Sequence, residues 1–210
     1  MKAEELDPEI RKLIESMASK IIEDVKKDRI FDQVGSDSPH GIYVYDKVIR
    51  KWILLKSDGE WFEPKENGSY VIYFDNARCS ACRKYDPHWF KYVNKYADIL
   101  KGMKFLIILC NWFSRECKST AASASFKFYD VHSSPTTMLI YVKDEKIAYK
   151  EKYEGYLTFE ELEKVINTFE ERANKAMAGL PVEKPIKRTD EEDIIKLLKL
   201  LLSKADLKKG

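Results

Sequence analysis

Cys79 and Cys82 close the run VIYFDNARCSAC, a stretch of β-branched and aromatic residues that ends in two thiols separated by Ser80 and Ala81. If a helix begins at the pair, Cys79 sits on unpaired backbone N–H groups at the positive end of the helix dipole, which favours a thiolate. Cys82 then lies nearly one turn on. It can attack a mixed disulfide formed at Cys79 and release the product, so the pair can cycle between dithiol and disulfide. Arg78, Arg83 and Lys84 add positive charge that favours a thiolate at Cys79, with solvated side chains as the plain alternative.

Cys110 and Cys117 are the other two cysteines, with NWFSRE between them. Two readings stand: a disulfide closing this short loop, or one buried apolar cysteine and one unreactive exposed one. A structural zinc site wants two closely spaced pairs, and Cys110 to Cys117 is too wide for the second. His40, His88 and His132 show no ligand spacing, so no metal is expected, and His88 and Trp89 are expected to pack or lie on the surface.

The elements that would position the cysteines follow from periodicity and turn residues. Apolar positions Ile10, Leu13, Ile14, Met17, Ile21, Ile22 and Val25 recur every three or four residues behind Asp7-Pro8, predicting an amphipathic helix. Two strand-like runs from Ile42 to Leu55 and back near Trp61 are placed around the turn Ser57-Asp58-Gly59-Glu60. A strand Tyr70 to Phe74 leads into the cysteines and then a helix to about Leu100. A second apolar strand, Met103 to Cys110, precedes a helix within Glu116 to Tyr129. A hairpin pairs Thr136 to Val142 with Lys146 to Tyr149, and a helix from about Thr158 to Ala176 closes the block. Beyond Gly179, Pro181 and Pro185 mark a linker, and Thr189 with Glu192 caps an apolar C-terminal helix that needs a surface to bury against.

Bulk properties narrow the classes. Net charge is +2 with 34% charged residues, so no global field advertises a nucleic-acid partner. The longest apolar run is far shorter than the roughly 20 residues that span a bilayer, and the acidic start MKAEELDPEI is unlike a signal peptide, so a soluble, cytoplasmic protein without membrane contact is expected. Lys and Glu dominate the polar residues and Gln33 is the one glutamine, a bias of proteins from very hot habitats, whose interiors tolerate disulfides.

Residues 70 to 170 resemble a thioredoxin-fold domain of the disulfide oxidoreductase family. Four landmarks carry the resemblance: the Cys79/Cys82 pair; Pro87, five residues after the second cysteine in CRKYDP; Pro135 in YDVHSSPTTMLIYV; and Gly155 in EKYEGYLTFEEL. The resemblance implies an α/β fold of three α/β/α layers around a mixed central sheet. It also implies a cis peptide at Pro135 beside Cys79, and a Ser134 backbone that pairs with an extended substrate segment. The chain departs from the family at Ser80-Ala81, at Arg78 where a tryptophan is usual, and at Tyr73 where a buried acid is usual. Proton handling for Cys82 must come from elsewhere; Asp75 and Asp86 are near in sequence, with surface salt bridges as their expected use.

These observations predict a helical extension over 1–35, a thioredoxin-like domain over 36–178, and a linker with an amphipathic helix over 179–210. The expected function is thiol-disulfide exchange with protein substrates, in which Cys79 attacks, Cys82 resolves, and Pro135 and Ser134 position the substrate. No organic cofactor is implied, because the cysteines carry the electrons, and turnover as a reductant needs an upstream thiol reductase. The rival is a thioredoxin-like adaptor whose terminal helices dock a partner; it predicts that Cys79→Ser changes no turnover while deletion of 180–210 abolishes a complex. A homodimer through the C-terminal helix is compatible with either.

Overall fold

Alternation along the central strands explains how one sheet is covered on both faces. The computed structural model describes residues 29–111 and 115–186. Among these, strands β1 (Ile30–Phe31), β2 (Gly41–Asp46), β3 (Lys51–Lys56), β4 (Gly68–Asn76), β5 (Met103–Cys110), β6 (Thr136–Lys143) and β7 (Lys146–Glu154) form one sheet. The helices are α1 (Ser80–Tyr96), α2 (Thr120–Phe128), α3 (Phe159–Asn167) and α4 (Phe169–Met177). Strand order is β1-β3-β2-β5-β4-β6-β7, with β4 and β5 parallel and every other pair antiparallel.

Successive side chains on a strand point to opposite faces. Val71 and Tyr73 of β4, with Phe105, Ile107 and Leu109 of β5, therefore meet Trp89 and Val93 of α1 and Leu162 and Val165 of α3. Their neighbours Ile72, Phe74, Leu106, Ile108 and Cys110 meet Ala121, Ala122 and Phe126 of α2 on the other side. The result is three layers around a mixed sheet. Each fully buried apolar side chain in these layers, such as Ile72, Phe74 and Phe105, contributes roughly 1.5–3 kcal/mol. Gly41 opens β2 because a Cβ there would lie 2.9 Å from the Lys56 carbonyl oxygen.

Three expectations change. The hairpin turn is not at Ser57-Asp58-Gly59-Glu60; β2 returns as β3 through residues 47–50, and no strand forms near Trp61. The Asp46 carboxylate accepts from the N–H groups of Val48 (2.8 Å) and Ile49 (3.1 Å), and Arg50 takes a positive φ of 56°, so a tight turn forms without glycine. The single helix over Thr158 to Ala176 is two helices that meet at Thr168. The sheet also starts ahead of residue 36, since Ile30 and Phe31 pair with β3. The helices expected over Pro8 to Val25 and after Thr189 lie outside the described residues, as does any dimer contact through the latter. No helix among the described residues is long and apolar enough to cross a membrane.

Candidate functional site

Strand β4 delivers the chain to the edge of the core, and α1 starts there. Cys79 is the N-cap of α1, with φ −86° and ψ 117°, and its Sγ accepts from the Cys82 N–H at 3.4 Å. A sulfur therefore takes the place that a Ser or Asp oxygen fills at most helix starts, on one of the orphan N–H groups. Cys79 is half-buried and Cys82 fully buried, and both are free thiols. The helix runs on through Pro87, which has no N–H to give the Arg83 carbonyl.

The wall opposite the cysteines comes from the start of β6, whose Thr136 pairs with Phe74 near the end of β4. The Ser134–Pro135 peptide bond is cis. Cys79 Sγ donates to the Ser134 carbonyl oxygen at 3.4 Å, and Cys82 Sγ lies 2.9 Å from Ser134 Oγ. Gly155, at φ 78°, follows β7 and donates its N–H to the Pro135 carbonyl at 2.8 Å. The cysteine pair, Pro135 and Gly155 therefore gather at the C-terminal end of β4, with Pro87 further along α1.

Beneath the cysteines lies a charged cluster. Asp75, with a fully buried side chain, receives two bonds of 2.5 Å from Arg83 Nη2. Arg83 Nη1 also lies 3.2 Å from Asp86 Oδ2, and the Tyr73 hydroxyl donates to Asp86 Oδ1 at 3.0 Å. The surface salt bridges expected of Asp75 and Asp86 are thus corrected: both belong to an interior network, with Asp86 only 16% exposed. The physical reason is strand parity, since Asp75 continues the face of Val71 and Tyr73 that lies under α1. That parity was the signal in the sequence.

Burial, and then the Asp75 charge, push the Asp86 carboxyl up to about 7 against the pull of Arg83 and Tyr73. Burial works against the Arg83 charge, but the Asp75 carboxylate outweighs it and holds the guanidinium more firmly protonated. Burial also pushes the Cys82 thiol up, the Asp75 charge adds to this, and the Ser134 hydroxyl opposes it. Arg83 therefore serves Asp75 and Asp86 in this arrangement, while Arg78 is 76% exposed and 3.9 Å from Glu116.

Cys110 and Cys117 are bridged, with S–S 2.11 Å and Cα–Cα 5.0 Å. Cys110 pairs with Asn76, and its carbonyl accepts from the Ala77 N–H at 2.9 Å, so the bridged Cys110 adjoins the segment that carries Cys79. Trp89 is fully buried, His88 Nδ1 accepts from the Phe159 N–H at 3.2 Å, and His40 Nδ1 accepts from the Lys118 N–H at 2.9 Å. Among the described residues no three His, Cys, Asp or Glu side chains converge as a metal-holding group.

No protein-family model matches the chain, and no curated protein sequence matches it. Solved structures similar to it include a thioredoxin from Aeropyrum pernix (17% identity, TM-score 0.41, 60% of this chain and 90% of that one). Mitochondrial thioredoxin 3 from Saccharomyces cerevisiae in its oxidized form is 24% identical, with TM-score 0.29 over 43% of this chain and 70% of that one. Thioredoxin O2 from Arabidopsis thaliana is 18% identical, with TM-score 0.33 over 49% of this chain and 76% of that one. Similarities this low say nothing of activity. The mixed sheet, with parallel β4 and β5 at its centre, antiparallel β6 and β7 at one side and helices on both faces, defines the architecture. The fold is thioredoxin-like. In this thioredoxin-like chain, Asp75 is paired with Arg83 below the cysteines, and Tyr73 supplies a hydroxyl to Asp86.

Proposed function

We propose that the chain is a thiol-disulfide oxidoreductase that exchanges disulfides with protein substrates. One observation supports this above the rest: a half-exposed thiol caps a helix, with a second, buried thiol one turn on and the Ser134–Pro135 wall against both. Cys79, the accessible sulfur, attacks a substrate disulfide and forms a mixed disulfide, and one substrate sulfur leaves as a thiol. Cys82 then attacks Cys79 Sγ, forming the Cys79–Cys82 disulfide and releasing the second substrate sulfur. The Cys79 thiol rests on the Ser134 carbonyl, so a substrate segment that pairs with that backbone takes over the carbonyl as the sulfur turns to attack. An upstream thiol reductase regenerates the dithiol.

The test is reduction of a protein disulfide with dithiothreitol as the electron source. Wild type should accelerate the reduction and Cys79→Ser should abolish the acceleration. Equal rates for the two proteins would remove the enzyme reading and favour a docking role for the same fold.

A further inference from the structure

Cys82 presents a problem that exchange chemistry alone does not solve. It must become a nucleophile, yet it is fully buried, and both burial and the Asp75 charge oppose its thiolate. The groups around it are few. Cys79 Sγ accepts from its N–H, the Tyr73 hydroxyl donates to its carbonyl at 3.4 Å, and Asp75 is tied to Arg83 by two bonds. Among the described residues, the sulfur itself meets the Cys79 side chain, the Asn76 backbone, which favours its thiolate, and one hydroxyl, Ser134 Oγ, 2.9 Å from Cys82 Sγ.

We propose that the Ser134 hydroxyl is a catalytic group of the resolving step, holding the Cys82 sulfur first as a thiol and then as a developing thiolate. The hydroxyl suits both roles because a serine oxygen accepts and donates. In the dithiol state it accepts from the Cys82 S–H, while its own proton faces the Phe74 carbonyl oxygen at 3.4 Å. As Cys82 loses its proton, rotation about the C–O bond turns the hydroxyl into a donor to the sulfur, with no movement of heavy atoms. A hydrogen bond to a charged group is about twice as strong as a neutral one, so the contact strengthens as charge develops.

The step balances without an added reactant. Cys82 Sγ forms a bond to Cys79 Sγ, the bond from Cys79 Sγ to the substrate sulfur breaks, and its electron pair leaves on the substrate sulfur. The Cys82 proton ends on that sulfur. Cys79 and Cys82 are oxidised together by two electrons, and the substrate disulfide is reduced by two.

Ser134 thereby touches both sulfurs, the first through its carbonyl and the second through its hydroxyl. The hydroxyl role goes beyond backbone pairing with a substrate and rests on the exchange reading above.

The experiment uses the full chain, with its Cys110–Cys117 bridge intact, and 5,5′-dithiobis(2-nitrobenzoate) as the disulfide. Attack by Cys79 releases one thionitrobenzoate and leaves another bound; attack by Cys82 releases the second. Ser134→Ala, and Ser134→Val, which has the shape of threonine without its hydroxyl, should slow the second release relative to the first by about tenfold. Ser134→Thr, which keeps the hydroxyl, should stay within about twofold of wild type by the same reasoning. The slowing in Ser134→Val should also shrink as pH rises and solvent takes the Cys82 proton directly. Wild-type rates in Ser134→Ala and Ser134→Val, or a Ser134→Thr as slow as Ser134→Val, would overturn the hydroxyl's role while leaving exchange standing. A wild-type chain that binds thionitrobenzoate and never releases the second equivalent would overturn the exchange reading itself, and the hydroxyl's role with it.

Discussion

Replacing Asp86 by asparagine should change how the protein's stability depends on pH. In the folded chain the Asp86 carboxyl is pushed up to about 7 by burial and then by Asp75, against Arg83 and Tyr73; its ordinary value is 3.8. A raised folded value means that the folded state holds the proton more tightly. The stability this gives is fully present below about pH 4 and is lost as pH rises to about 7, where the folded carboxyl also ionises. By linkage the loss is up to about 4 kcal/mol, and partial exposure and screening reduce it to about 1–2 kcal/mol. An asparagine amide resembles the protonated acid at every pH. In urea unfolding of both proteins, Asp86→Asn should therefore gain about 1–2 kcal/mol on wild type between pH 4 and pH 8, with no further gain above pH 8. A gap that stays constant with pH, or that turns against the variant as pH rises, would rule out a raised Asp86 carboxyl and give the ionised Asp86–Arg83 pair the larger weight.

Cys82→Ser should accumulate covalent adducts between Cys79 and substrate thiols, visible as mass shifts removed by reductant, because the resolving sulfur is gone. Arg172→Met should lower stability by about 3–5 kcal/mol, because the Glu151 carboxylate between Tyr149 and Tyr153 would lose two bonds of 2.7 Å and stay buried unpaired. Adding Glu151→Gln should recover part of that loss in the same unfolding measurement. Changing Cys110 and Cys117 together to Ala should cost about 2.5 kcal/mol, the chain entropy of so short a loop, read as a lower urea midpoint.

The parts legible in the sequence are those where one physical signal dominates. Met103 to Cys110 reads as a strand and is one, because a short apolar run bounded by Gly102 and Asn111 has few alternatives. The helix expected from about Thr158 does start there, and the structure adds a capping box in which Thr158 Oγ1 and the Glu161 carboxylate each accept from the other's N–H. The β2–β3 turn was not legible, because Asp46 builds it by side-chain hydrogen bonds while Ser57-Asp58-Gly59-Glu60 offers a stronger compositional lure. The break at Thr168 depends on tertiary contacts: Arg172 donates to the Thr168 hydroxyl at 2.5 Å while its other nitrogens reach Glu151 in β7. At the candidate site, spacing placed Cys79 at the helix start. It said nothing of the Ser134 hydroxyl against Cys82 or of the Asp75–Arg83 pairing, since each joins elements brought together only by the sheet.

The most direct measurement is the equilibrium of the Cys79/Cys82 pair against glutathione, read by alkylation and peptide mass. A single two-electron transition should end in a Cys79–Cys82 disulfide while Cys110–Cys117 stays bridged. Cysteines that yield only glutathione adducts, or that stay reduced at every ratio of oxidised to reduced glutathione, would contradict it.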